Sequence, residues 1–303
     1  MLEQNFIGML RGESAPWSRR RTTSYLIRRT VLYVFAIGGA CIYALPLFLM
    51  IGTSLKAPME LYVRPYQWFP ATPQWQNYVQ AWTAFPFTRY LFNTLYVTIM
   101  SLTGAVISCS FAAYAFSRIR FPARKIFFAL VLAAMMLPRD ALFIPTYIIW
   151  WRLGAVGTYI PLWAPGWLGR GLSRIFLLRQ FFRTIPVELE DSAKMDGCSA
   201  FQRFWSIIVP LSKPAIGVVM IFEFISNWNS FVSPLIYLKD PQMYTLNVGL
   251  NMFRDAFMEQ FASMPNMHQF MAIATIIIMP VIIIFIFLQR YFVEGIQLSG
   301  INR

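Results

Sequence analysis

The sequence predicts an all-α, polytopic membrane protein with about six transmembrane helices and a two-helix loop on one side. Three observations carry that expectation. Hydrophobic residues fill 57% of the 303 positions and charged residues only 13%, with a mean hydropathy of +0.52, a balance unsuited to a water-facing surface. Several stretches approach the roughly 20 apolar residues that a helix needs to cross a hydrocarbon core about 30 Å thick. The basic residues behind the net charge of +13 fall in short clusters between those stretches rather than on one soluble face, which argues against nucleic acid as a partner.

The predicted spans are 31–55, 91–116, 126–151, 159–178, 215–238 and 270–288. The first is too long for the core of a signal peptide and no small-residue cleavage site follows it, so it is expected to remain as an anchor. Pro145 in the third span and Pro280 in the sixth free backbone carbonyls and can kink their helices. Arginine and lysine set the orientation, because short loops rich in them stay in the cytoplasm. Arg19, Arg20, Arg21, Arg28 and Arg29 precede the first span, and Arg118, Arg120, Arg124 and Lys125 fill the link after the second. Arg179, Arg183, Lys194, Arg203 and Lys213 surround the link between the fourth and fifth. All three clusters share one side, so both termini are predicted cytoplasmic. The expected organisation is a tail at 1–29, one transmembrane domain at 30–289 with a cytoplasmic loop at 183–214, and a tail at 290–303. The outer links carry Trp68, Trp75 and Trp82, residues that favour the membrane interface and equally suit docking of an external partner.

Little here points to catalysis. Cys41, Cys109 and Cys198 are far apart and form no CxxC, so they read as packing residues, and no metal site is expected. His268 precedes an apolar run and reads as a polar residue at the membrane interface rather than a base. No GxxxxGK[ST] phosphate loop occurs, so any ATPase must be another chain.

The loop at 183–214 reads as two short helices. Thr184 and Pro186 open the first, Glu188, Glu190 and Asp191 put negative charge near its positive end, and Gly197 can stop it. Ser199 with Gln202 makes a capping box for the second, which Pro210 is expected to end. Phe201, Phe204, Trp205 and Ile208 fall on one stripe of that helix, and such a stripe is expected to bury itself.

These residues resemble a known pattern. The run from Glu188 to Gly197, followed by Ile207-Ile-Val-Pro210, resembles the Glu-Ala-Ala loop of binding-protein-dependent importer permeases, with Asp191, Ser192 and Ala193 in the Glu-Ala-Ala positions. The spacing is kept in full, while Asp191, Ser192 and Val209 depart from the commonest residues but preserve charge, smallness or apolarity. Asn227-Trp-Asn229 with Pro234-Leu235, Met243-Tyr-Thr-Leu246 and the run from Gln289 to Gly295 are similar to the maltose/glycerol-phosphate type of carbohydrate permease. The resemblance implies a permease subunit of an ATP-binding-cassette importer in the inner membrane, forming half of the path for a sugar, polyol or sugar phosphate. It implies a second homologous permease, two ATPase subunits that hold ATP and Mg, an extracytoplasmic solute-binding protein, and no cofactor on this chain. It also implies that Glu188, Glu190, Asp191, Ser192, Ala193, Asp196, Gly197, Ile207 and Pro210 serve ATPase coupling, with the tail from Glu294 as a second contact.

A secondary transporter or a membrane-embedded enzyme is the alternative, and neither has an obvious task for the two-helix loop. For the solute path, charged groups at lipid depth are the candidates, since they tend to face a cavity, a partner or one another. Arg139 and Asp140 lie beside Pro138, Arg170 and Arg174 lie at i, i+4, and Glu223 lies in the fifth span. Asn227 and Asn229 beyond it suit hydroxyl recognition, because amides donate and accept. Pairing of a carboxylate with an arginine inside the chain is the competing reading.

Overall fold

The computed structural model describes residues 16–65, 67–138, 140–260 and 266–300, and every extended regular element among them is a helix. Three helices contain continuous apolar stretches long enough to cross a bilayer: α1 (Pro16–Ser54), α3 (Phe87–Arg118) and α13 (Met267–Gly300). Between α1 and α3 lies the short α2 (Gln76–Ala84).

The other predicted spans are interrupted. The third divides into α4 (Arg124–Met135) and α5 (Phe143–Arg152), with Pro138 in the break. Pro145 lies in the first turn of α5, where a missing N–H costs nothing, so the interruption lies upstream of it. The fourth divides into α6 (Ile160–Trp167) and α7 (Leu172–Thr184) at Gly169, whose φ is +73°. The fifth divides into α10 (Lys213–Trp228) and α11 (Val232–Tyr237). Hydropathy averages over a window and is blind to such breaks, which membranes tolerate where protein or a cavity surrounds the freed backbone. Pro280 lies inside α13, which runs through it as one helix. A last helix, α12 (Leu246–Gln260), precedes α13.

α3 is the centre of the bundle. Its buried face carries Thr94, Thr98, Ser101, Gly104, Ala105 and Ala113, small residues that let neighbouring backbones approach where lipid supplies no hydrophobic drive. Gly166 of α6 uses that closeness: a β-carbon there would lie 2.7 Å from the Ser101 carbonyl oxygen, which cannot yield. Ser108 donates to the Gly166 carbonyl at 2.7 Å, and the Trp167 indole donates to the Met100 carbonyl at 3.0 Å. Gly166→Val is therefore expected to cost about 1–3 kcal/mol, the usual penalty of overpacking. A thermal melt in detergent should show the loss, and an unchanged midpoint would contradict this packing.

Two apolar clusters occupy opposite ends of α3. One joins Tyr114, Leu178, Phe182, Phe204, Ile208 and Val219; the other joins Phe87, Tyr90, Trp228, Phe253 and Ile273. Between them α3 presents the polar Thr94, Thr98 and Ser101. α1 packs on α13 and turns large apolar groups outward, Phe35 and Tyr43 among them, as a lipid-facing helix does. His268 is buried at the start of α13.

Candidate functional site

Two sites take shape, one at the C-terminal end of α3 and one midway along it. The first begins with α8 (Val187–Met195), entered through Pro186 and carrying Glu188 and Glu190 in its first turn. Its end is a Schellman motif: the Cys198 N–H donates to the Ala193 carbonyl at 2.9 Å and the Gly197 N–H to the Lys194 carbonyl at 3.1 Å. Gly197 has a φ of +81°, as that motif requires. The capping box then forms in full, with the Gln202 N–H donating to Ser199 Oγ at 3.2 Å and the Ser199 N–H to Gln202 Oε1 at 2.8 Å.

The second loop helix, α9 (Ala200–Leu211), differs from its expected form. Residues Phe204–Ile208 make a π turn, and the chain bends by 79° between α9 and α10. A proline ring clashes with the carbonyl four residues earlier, and for Pro210 that is Ser206, inside the wide turn. Only half of the apolar stripe is buried: Phe204 and Ile208 enter the core, while Phe201 and Trp205 are 62% and 60% exposed.

Glu188, Asp191, Ser192, Asp196, Gly197 and Pro210 are exposed at this end, and Ala193 and Ile207 are half-buried. Glu190 stands apart. Its carboxylate turns into the bundle, 3.0 Å from Arg118 Nε, with both side chains about nine-tenths buried, and accepts a 3.0 Å hydrogen bond from the Tyr114 hydroxyl. The Arg118 guanidinium also donates to the carbonyls of Phe182 and Ile185. Sequence reading placed Arg118 only among the orienting charges, and no local signal marks its partner.

The second site surrounds Glu223 of α10. Arg174 Nε lies 2.8 Å from Glu223 Oε2; Ser101 Oγ and Asn227 Nδ2 lie 3.0 and 2.9 Å from Oε1. The carboxylate is paired inside the chain, as it must be at this depth. Beside it lies a cavity of about 310 Å³ walled by Thr94, Ser101, Ser226, Asn227, Ser230 and Ser233, with Arg170 and Arg174. A smaller cavity of about 220 Å³ shares Phe143, Arg170 and Ser233 with it and reaches Thr146 and Tyr237. Glu223 and Asn227 thus come together, whereas Asn229 is exposed and lines neither space. Arg139 and the Asp140 side chain lie outside the described residues, as do the side chains from Glu294 onward and residues 1–15. Among the described residues no group of three or more His, Cys, Asp or Glu is placed to hold a metal.

Comparison with known proteins gives this geometry its setting. The family described as binding-protein-dependent transport system inner membrane component matches residues 104–297. The arabinooligosaccharides transport system permease protein AraQ of Bacillus subtilis (strain 168) is 29% identical over 286 residues, covering 93% of this chain and 99% of its own. The sn-glycerol-3-phosphate transport system permease protein UgpE of Rhizobium meliloti (strain 1021) is 31% identical over 284 residues, covering 91% of this chain and 97% of its own. A bacterial ABC transporter involved in the import of the acidic polysaccharide alginate shares the fold, with a TM-score of 0.75 at 23% identity over 92% of this chain and 100% of the other. A second alginate transporter structure, in complex with a pentasaccharide-bound periplasmic protein, matches with a TM-score of 0.59 at 15% identity over 86% of this chain and 94% of the other. The relatives are transport permeases rather than enzymes, and long apolar helices together with this kinship make the chain a multi-pass inner membrane protein. A match over most of the chain, with relatives aligned nearly end to end, establishes that it belongs to the binding-protein-dependent transport system inner membrane components, the permease subunits of ABC importers.

Proposed function

We propose that this chain forms half of the translocation path for a sugar, polyol or sugar phosphate. It pairs with a second homologous permease, docks two ATPase subunits carrying ATP and Mg at α8 and α9, and receives solute from an extracytoplasmic binding protein. Both termini are cytoplasmic in this reading, and ATP binding moves α8 and α9 so that the path opens to the other side. The observation that carries it is the outward face of α8 and α9. Leu189 and Met195 are 46% and 88% exposed beside Glu188 and Asp191, and clustered exposed apolar groups of this kind mark partner surfaces. The solute class is supported by the hydroxyls and amide of the larger cavity, which donate and accept as sugar hydroxyls do, and by relatives named for arabinooligosaccharides and sn-glycerol 3-phosphate.

A tagged complex purified from membranes and placed in proteoliposomes tests this directly. It is expected to contain ATPase chains and to accumulate solute only with ATP, while the permease alone hydrolyses none. Uptake driven by an ion gradient without ATP would point to a secondary transporter instead. Topology offers a separate check. Met195→Cys should react with an impermeant thiol reagent only from the cytoplasmic side and Lys239→Cys only from outside; the opposite pattern would reverse the orientation.

A further inference from the structure

We propose that the buried Arg118–Glu190 pair, with Tyr114, is a positioning device that makes α8 move as one body with α3 and α7. Motion at the ATPase surface then reaches the cavity wall through these two helices. The proposal rests on the docking of ATPases at α8 proposed above. Glu190 belongs to the acidic first turn of α8, yet among the acidic residues of that helix it alone is buried.

One guanidinium ties the elements together. Arg118 reaches Glu190 of α8, the Phe182 carbonyl in α7 and the Ile185 carbonyl in the link between them. Carbonyls at a helix end lack intrahelical partners, and the negative end of the α7 dipole favours a cation there. Tyr114 holds the second carboxylate oxygen, so Glu190 is gripped twice from α3. A buried ion pair is a weak source of net stability but costly to break, which suits a fixed joint.

The two helices gripped here both end their reach at Glu223. α3 runs without a break or proline from Arg118 back past Ser101, about 25 Å at 1.5 Å per residue, and Ser101 bonds Glu223. α7 runs unbroken from the Phe182 turn back to Arg174, the ion-pair partner of Glu223. The direct route from α9 into α10 instead passes a 79° bend. The unbroken helices are therefore the stiff path between the C-terminal end of α3 and the cavity.

The test uses the assembled complex with ATPase subunits bound, its native cysteines replaced, and Ser230→Cys as a reporter in the cavity wall. Thiol reactivity of the reporter is measured with and without ATP, Mg and vanadate, so no solute need be known. With the parental pair, ATP and vanadate are expected to change the labelling rate about fivefold or more, within the range that coupling networks produce. In those Glu190→Gln and Arg118→Gln complexes that assemble with their ATPase subunits, the labelling rate should no longer respond to ATP and vanadate. The double variant should be no worse than either single one, since both remove the same joint. Tyr114→Phe, which removes one hydrogen bond, should fold normally and give a reduced response, which keeps the test open if the charge variants do not assemble. A parental labelling response in the variants, additive losses, or loss of ATPase binding in place of loss of response would overturn the proposal. Cross-linking of Met195→Cys to the ATPase in the parental complex is read separately; its absence would overturn the docking surface itself rather than the joint.

Discussion

Arg174→Leu is expected to leave little folded protein in the membrane. The substitution strands the Glu223 carboxylate, which is about nine-tenths buried, with only Ser101 and Asn227 as donors. Removing one partner of a buried pair costs about 3–5 kcal/mol, a large share of the 5–15 kcal/mol that typically separates folded from unfolded protein. Folded yield by size exclusion in detergent and the melting midpoint should both fall. Replacing both partners, Arg174→Leu with Glu223→Leu, removes the uncompensated charge and should recover most of that stability. The double variant should still transport poorly, because both side chains line the cavity. A single variant as stable as the parent would mean that the pair is not the buried element described here.

Gly197→Val is expected to reach the membrane at near-normal level and yet lose transport and solute-stimulated ATP hydrolysis together. A β-carbon at this position would meet nothing within 4 Å, so the penalty is the backbone's alone. At a φ of +81° that penalty is roughly 1 kcal/mol or more for a residue with a side chain. A cost of this size does not unfold a bundle, but it can be relieved by undoing the Schellman bonds to Ala193 and Lys194, which redirects the chain into α9. The exposed face shared by α8 and α9 would then no longer match the ATPase subunits proposed to dock there. Charge reversal at Asp191, an exposed residue of α8, should weaken the same contact. Gly197→Val is predicted to differ from Glu190→Gln in a measurable way: the first abolishes the ATPase contact, the second leaves it and silences the cavity. Normal assembly and parental transport in Gly197→Val would remove the coupling role of this loop.

The amino-acid sequence by itself determined what depends on neighbours a few residues away. The start of α8 at Pro186, its end at Gly197 and the capping box of Ser199 with Gln202 follow from backbone bonds that span three to five residues. The three long apolar helices follow from hydropathy over a bilayer's thickness. Only the tertiary structure decided which charge meets which. The sequence offered Arg170 and Arg174 equally to Glu223, and it showed Glu190 as one acidic residue among several, with Tyr114 76 residues away and Ser101 122 residues from Glu223. Likewise, the tertiary structure decided that Phe204 and Ile208 enter the core while Phe201 and Trp205 stay exposed. A local pattern states what a segment can form, but a buried ion pair exists only where folding brings two distant helices close enough for charge attraction and hydrogen bonds to offset the loss of water.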